Sequence, residues 1–228
     1  MTCILFELTA KDINRKFSPH SWKSHLALNH KKITFESQPV QYHQYPETLK
    51  FVDYSLLPVL KDGDEVVTDS WNIAVYLEAK YPKNSLFINE AGKKLAQSMN
   101  EQCDTTIAQF VRPLILMDLF QLIADEDKQY FRESREAKLG MTLEAFSKKA
   151  PEALVSLKQE LAKIGKLLEN QDFLAGASPS YADICLLSTL IWIACINDTV
   201  FLEEGTPTKD WYQRMLQHYP DAAKAVNI

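Results

Sequence analysis

Phe17-Ser18-Pro19-His20-Ser21-Trp22-Lys23-Ser24-His25-Leu26-Ala27-Leu28 is a polar turn that runs directly into an amphipathic helix. Just upstream, Cys3-Ile4-Leu5-Phe6-Glu7-Leu8 is a short apolar run with β-branched and aromatic members, which reads as a buried strand. The turn therefore caps a strand and opens a helix. Ser18 suits the N-cap, and Pro19 suits the first helical position, where its missing N–H has no intrahelical acceptor to lose. The free N–H groups and positive dipole end of such a helix favour an anion, and thiol pKa values fall there. Ser18-Pro19-His20-Ser21 has the spacing of a C-x-x-C redox pair with serine in both cysteine positions. Serine cannot exchange disulfides, but its hydroxyl can donate to a thiolate carried in by a ligand. The turn reads as a holder of a foreign thiol.

Outward from this stretch, the first helix ends near Asn29-His30, and Ile33-Thr34-Phe35-Glu36-Ser37-Gln38-Pro39-Val40 reads as a second strand. Strand, helix and strand within some forty residues make a βαβ unit, so the first two strands are expected to be parallel. Tyr45-Pro46-Glu47 begins a short irregular segment. Asp62-Gly63 then marks a hairpin between the apolar runs Val59 to Lys61 and Glu65 to Val67, an antiparallel pair. Asp69-Ser70 caps a helix with apolar spacing at Ile73, Ala74, Leu77 and Tyr81. The order βαβ, α, ββα is that of a thioredoxin-like α/β domain, assigned to residues 1–82, with a linker over 83–90.

From Ala91 to the last residue the pattern is helical throughout, which predicts an all-α domain over 91–228. One long helix is expected from about Gly92 to Leu122, kinked at Arg112-Pro113 because proline removes a backbone bond and clashes with the preceding turn. Asp125-Glu126-Asp127 reads as a solvated loop. Helical segments follow near Lys128 to Ala150 and Pro151 to Asn170, and weaker ones near Asp210 to Gln217 and Ala222 to Val226. Ser180-Tyr181-Ala182-Asp183 resembles a capping box with aspartate in its third position. It opens the run Ile184 to Ile196, apolar on nearly every face, which must lie in the middle of a bundle.

Bulk properties bound the function. At 228 residues, 46% hydrophobic and 24% charged, with a net charge of −5, the chain is an ordinary globular sequence. The acidic balance and the lack of a basic run argue against nucleic acid as a partner. Cys3, Cys103, Cys185 and Cys195 are scattered through apolar runs, read as reduced core residues, and share no metal-ligand spacing with the five histidines. No metal is expected. Neither a signal pattern nor a membrane span is visible, so the cytoplasm is the expected compartment and no membrane partner is expected.

Four local motifs then carry a resemblance that covers essentially the whole chain: Ser18-Pro19, Leu57-Pro58-Val59-Leu60, Asp69-Ser70, and Phe173-Leu174-Ala175-Gly176 followed by Ser180-Tyr181-Ala182-Asp183-Ile184. In this order they resemble a cytosolic glutathione transferase of the serine type. Ser18-Pro19-His20-Ser21-Trp22-Lys23 and Tyr130-Phe131-Arg132-Glu133-Ser134-Arg135-Glu136 look like the etherase-related branch of fungi and bacteria.

The resemblance implies roles residue by residue. Ser18 would stabilise the glutathione thiolate, with Ser21 as the competing catalytic serine. Leu57-Pro58 would be a cis bond that leaves the Leu57 backbone free to pair with the cysteinyl unit like an added strand. Asp69 and Ser70 would hold the γ-glutamyl end, although many family members carry glutamate where Asp69 stands. Trp22, Phe110, Leu114, Met117 and Tyr130 are the acceptor-pocket candidates. Phe17 would shape the mouth, His20 act on a substrate, and Arg132 and Arg135 face an acidic substrate group or glutathione; for each of these the blander reading is core packing or a solvated surface. Glutathione enters as co-substrate with no further cofactor, an aromatic small molecule as acceptor, and the chain as a homodimer. The activity implied is attack of the glutathione thiolate on hydrophobic aromatic electrophiles, with aryl ether cleavage as the branch-specific case. A binding protein that carries aromatic molecules without chemistry would keep the same glutathione residues.

Overall fold

The computed structural model describes residues 3–226. Four strands, β1 (Cys3–Leu8), β2 (Glu36–Val40), β3 (Val59–Asp62) and β4 (Glu65–Thr68), form one sheet in the order β2-β1-β3-β4. β1 and β2 are parallel, from Ile4 opposite Glu36 to Leu8 opposite Val40, while β3 runs antiparallel to both β1 and β4. Helix α1 (Pro19–His30) joins the parallel pair, α2 (Tyr45–Thr48) follows a 3-10 turn at Tyr42–Gln44, and α3 (Ser70–Lys80) follows β4. This is the thioredoxin-like arrangement.

Two strand boundaries differ from expectation. β2 begins at Glu36 rather than Ile33, because the chain leaves α1 through Lys32 in a left-handed conformation (φ 56°) and the Ile33 N–H is spent on the Leu28 carbonyl. Asp62 closes β3 instead of belonging to the turn: Gly63, at φ 66°, takes the left-handed position, and the Asp62 carboxylate accepts from the Tyr76 and Tyr81 hydroxyls at 3.0 and 2.6 Å.

The helical part begins with α4 (Glu90–Gln102) and α5 (Ala108–Leu122), joined without a break by a π-helical segment at Cys103–Ile107. Pro113 is accommodated inside α5, so the irregularity predicted at Arg112-Pro113 sits upstream and is a widened turn. The Asp125 to Asp127 stretch is not a solvated loop. Asp127 is buried, and its carboxylate accepts from the backbone N–H groups of Tyr42 and His43 at 3.2 and 2.7 Å. The helix expected over 128–150 is broken: α6 (Lys128–Leu139) stops at Gly140, whose φ of 66° is the left-handed C-cap, and Thr142 caps the short α7 (Leu143–Ser147). Then come α8 (Ala150–Leu167), α9 (Tyr181–Ala194), α10 (Pro207–His218) and α11 (Pro220–Ala225). No helix among the described residues is long and apolar enough to cross a membrane.

α9 is buried along almost its whole length and packs on α1 and α4, so one apolar core runs through both parts of the molecule. Its start is the capping box read from the sequence, with additions. Asp183 accepts from the N–H and hydroxyl of Ser180 (2.9 and 2.8 Å), from the Leu174 N–H (2.8 Å) and from the Trp211 indole (2.9 Å). Asp183→Ala strands three buried N–H donors, so urea unfolding of this variant is expected to show a loss on the order of 3–5 kcal/mol. A loss below about 1 kcal/mol would mean that water replaces the carboxylate.

The chain's end returns to its beginning. His25 lies between Glu7 of β1 and Asp221 of α11, its ring nitrogens 3.0 and 3.2 Å from the two carboxylates, and Glu7 also binds Ser37 and Lys16. Burial works against charge on His25, but Glu7 and Asp221 outweigh it and hold its pKa above the ordinary 6.5. Burial likewise opposes charge on Glu7, yet the cations around it keep its pKa below 4.5. A histidine whose folded pKa is raised stabilises fully below its unfolded pKa, and that contribution fades as pH climbs through the folded value. His25→Asn is therefore expected to lower Tm most near about pH 6, with the gap to wild type narrowing as pH rises. A gap independent of pH would show that His25 folds neutral.

Candidate functional site

The site is built where β1 ends and α1 begins. Ser18 is the N-cap of α1, in extended conformation (φ −71°, ψ 123°), and its Oγ accepts from the Ser21 N–H at 3.3 Å. The hydroxyl hydrogen of Ser18 has no acceptor among the described residues. Ser21 differs: it is completely buried, and its Oγ accepts from the Leu8 N–H of β1 at 3.3 Å. Ser18 retains 7% of its surface and Ser21 none, and the Ser21 hydroxyl ties helix to sheet while that of Ser18 caps the helix.

The Leu57-Pro58 bond is cis, and Leu57 lies just ahead of β3, outside its ladder. Asp69 caps α3 from a strained left-handed backbone (φ 68°). Its Oδ1 accepts from the Trp71 and Asn72 N–H groups at 3.0 and 3.1 Å, and Oδ2 has no partner among the described residues. The neighbouring Ser70 is held from the other domain, because the buried Tyr181 hydroxyl donates to its carbonyl at 2.9 Å. A groove of about 430 Å³ follows the chain between Tyr45 and Ser55, immediately before Leu57.

Across from α1 stands a group of residues that carried no signal in the sequence. Lys23, fully buried, donates to Asp104 at 2.5 Å and to Asn100 at 2.9 Å. Burial opposes the lysine's charge, but Asp104 outweighs it and holds the Lys23 pKa above its ordinary 10.5. Asp104 belongs to the π segment, and its Oδ1 is also 3.8 Å from Nδ1 of the half-exposed His20. Desolvation, then the charges of Lys23 and Arg112, push the His20 pKa below 6.5 against the pull of Asp104 and Asp69. The interdomain wall opposite Ser18 is therefore polar.

The expected acceptor residues do not gather here. Trp22 is buried, its indole N–H donates to the Lys16 carbonyl at 3.0 Å and its ring packs on His25, so it belongs to the core under the turn. Phe110, Leu114 and Met117 do form one stripe on α5, but at 100° per residue it lies about half a turn from Arg112, the α5 residue whose charge reaches His20. Tyr130 is exposed and meets Tyr42, whose hydroxyl also accepts from Arg135 at 3.1 Å. Phe17 is buried beside the same Tyr42 ring, and Arg132 pairs with Glu136 and Glu144. All four cysteines are buried and free, with burial lifting Cys3 and Cys103 to about 11 and Cys195 to about 12; none is a nucleophile at neutral pH. No cluster of three or more metal-ligating side chains occurs among the described residues.

The capped turn and the cis-proline bond before β3, backed by a helical domain, sit in a chain that also matches known families. Residues 17–80 match the model of the glutathione S-transferase N-terminal domain, and residues 95–211 match that of the C-terminal domain. The chain belongs to the glutathione S-transferase family. It is 31% identical over 110 residues to a zeta-class glutathione S-transferase of Euphorbia esula, covering 46% of this chain and 48% of the relative. It is 34% identical over 98 residues to glutathione S-transferase 1 of Dianthus caryophyllus, covering 41% and 43%. These matches span about half the length of the relatives. In fold it is similar to the glutathione S-transferase CsGST63524 of Ceriporiopsis subvermispora, solved in complex with glutathione, with a TM-score of 0.85 and 22% identity over 97% of this chain and 98% of that one.

Because the Ser21 hydroxyl is consumed by β1, Ser21→Ala is expected to cost about 1–3 kcal/mol in chemical denaturation by stranding the Leu8 N–H. A neutral result would free Ser21 for a role at the opening.

Proposed function

We propose that this chain is a glutathione transferase in which Ser18 activates the thiol. One observation supports this reading above the others: the Ser18 Oγ accepts from Ser21 while its own hydrogen stays free to donate, at a helix N-terminus that favours negative charge. A glutathione thiolate placed there receives that hydrogen bond. Ordinary thiols titrate near ~8.5, and a drop of about two units makes the thiolate dominant at neutral pH.

The rest of the tripeptide follows the same surface. The Leu57 N–H and C=O pair with the cysteinyl backbone as an added strand. The γ-glutamyl carboxylate meets Ser70 and the start of α3, and its ammonium meets the unused Oδ2 of Asp69. In the reaction the sulfur forms a bond to an electrophilic carbon, the leaving group departs with its electron pair, and the thiol proton has already passed to solvent. We assign hydrophobic aromatic electrophiles as acceptors. Displacement of an aryl ether rests on the motifs that resemble the etherase-related branch, and homodimerisation in the cytoplasm on the wider resemblance.

An ultraviolet difference titration of glutathione into the protein at neutral pH tests the reading. A thiolate band is expected, and Ser18→Ala is expected to remove it and cut turnover by about 10- to 100-fold, the worth of one hydrogen bond to a charged group, with glutathione affinity kept within a few-fold. Saturable binding without a thiolate band would overturn the assignment in favour of a carrier of aromatic molecules. Loss of the band in Ser21→Ala alone would move the role to Ser21.

A further inference from the structure

Arg112 lies in the first half of α5 without an ion-pair or hydrogen-bond partner among the described residues. The surrounding protein nonetheless desolvates its guanidinium enough to lower its pKa. The carboxylate whose field reaches it, Asp104, is held by Lys23 at 2.5 Å, and the other acid that acts on His20, Asp69, caps α3. The cations divide accordingly: the charge of Lys23 is answered by Asp104 and that of Arg112 is not.

Its position in the fold is defined by two contacts. At one end of the π and α5 stretch, Asp104 lies 3.8 Å from His20, two residues after Ser18. At the other, the Leu122 carbonyl accepts from the Lys11 N–H at 2.9 Å. α5 thus spans the opening of the β1–α1 connection, with Arg112 between these two anchor points. Eight residues from Asp104 return Arg112 to within about a quarter turn of the same helix face, the wide π turn included. On that face Ala108 and Leu116 are buried while Arg112 is exposed, so the cover over α5 opens at this residue.

We propose that Arg112 determines acceptor specificity by binding a carboxylate on the aromatic electrophile while the reacting carbon lies over the Ser18-bound thiolate. This rests on the transferase reading and adds the charge of its second substrate. A guanidinium presents paired donors to a carboxylate, and an arginine freed from other acids gives up no existing partner to take one. His20, kept neutral, adds neither a competing cation nor a repelling charge.

The test uses 4-chloro-3-nitrobenzoate and its methyl ester with the intact protein. In both, the glutathione sulfur bonds to the ring carbon, the carbon–chlorine bond breaks and chloride leaves. Rates are divided by the uncatalysed rates to remove the ester's greater intrinsic reactivity. Wild type is expected to favour the carboxylate. Arg112→Gln is expected to raise its KM by about tenfold or more while leaving the ester within about threefold, and Arg112→Lys to restore part of the difference. Calorimetric binding of the two aryl-glutathione products to the same proteins supplies the equilibrium readout, with the carboxylated product alone weakened by Arg112→Gln. Equal effects on both acceptors or both products, or none, would overturn the assignment of Arg112 and leave the transferase standing. Absence of glutathione and product binding in wild type would overturn the transferase reading itself, and this assignment with it.

Discussion

A helix buried on every face has no water with which to satisfy the polar groups of its first turn. α9 is that helix, and the structure answers the problem with Asp183, whose carboxylate gathers the Ser180 cap, the Leu174 N–H and the Trp211 indole at one point. Burial pushes the Asp183 pKa upward, and the donors pull against it. The consequence reaches beyond the bundle. With the start of α9 pinned, Tyr181 delivers its hydroxyl to the Ser70 carbonyl, so the beginning of α3, where Asp69 and Ser70 present their side chains, is positioned by the helical domain. The candidate ligand surface is made of sheet-domain residues, yet its geometry depends on a cap in the other domain.

The same dependence recurs at the opposite wall of the cleft. A fully buried ammonium requires a carboxylate at short range, and Lys23 finds one in Asp104, which lies in the π segment. Asn100 and Asp104 stand four residues apart, a spacing that keeps both on one helix face, where they share Lys23. The ion pair and the irregular turn thus sit together where α1 meets the stretch leading into α5.

Features set by neighbouring residues were legible in the sequence: the Ser18-Pro19 helix start, the Asp62-Gly63 hairpin, the Asp69 cap and the Ser180 to Asp183 box all depend on a few adjacent positions. Features set across the fold were not. Asp127 lies in an acidic triplet that resembles a solvated loop, but the N–H groups that bury it are 84 and 85 residues away. Asp104 meets Lys23 across 81 residues, and a π turn has no local composition that announces it. Trp22 looked like a pocket residue because an aromatic beside a helix start has two possible faces, and only the Lys16 carbonyl decides between them. Similarly, the apolar spacing of Phe110, Leu114 and Met117 identifies a stripe without saying toward which neighbour it turns.

The order in which the chain is made differs from the order in which its charges are matched. Glu7 and His25 belong to the first strand and first helix, but Asp221, the second acid on His25, lies 196 residues further along. A ribosome adding about 5–20 residues per second reaches Asp221 roughly 10 to 40 seconds after His25 has been joined to the chain. Throughout that interval the sheet domain holds a histidine with half its final complement of counter-charge. Nascent chains halted before α11 are thus a physically distinct species, in which the sheet domain must be held together without the contact from the last helix.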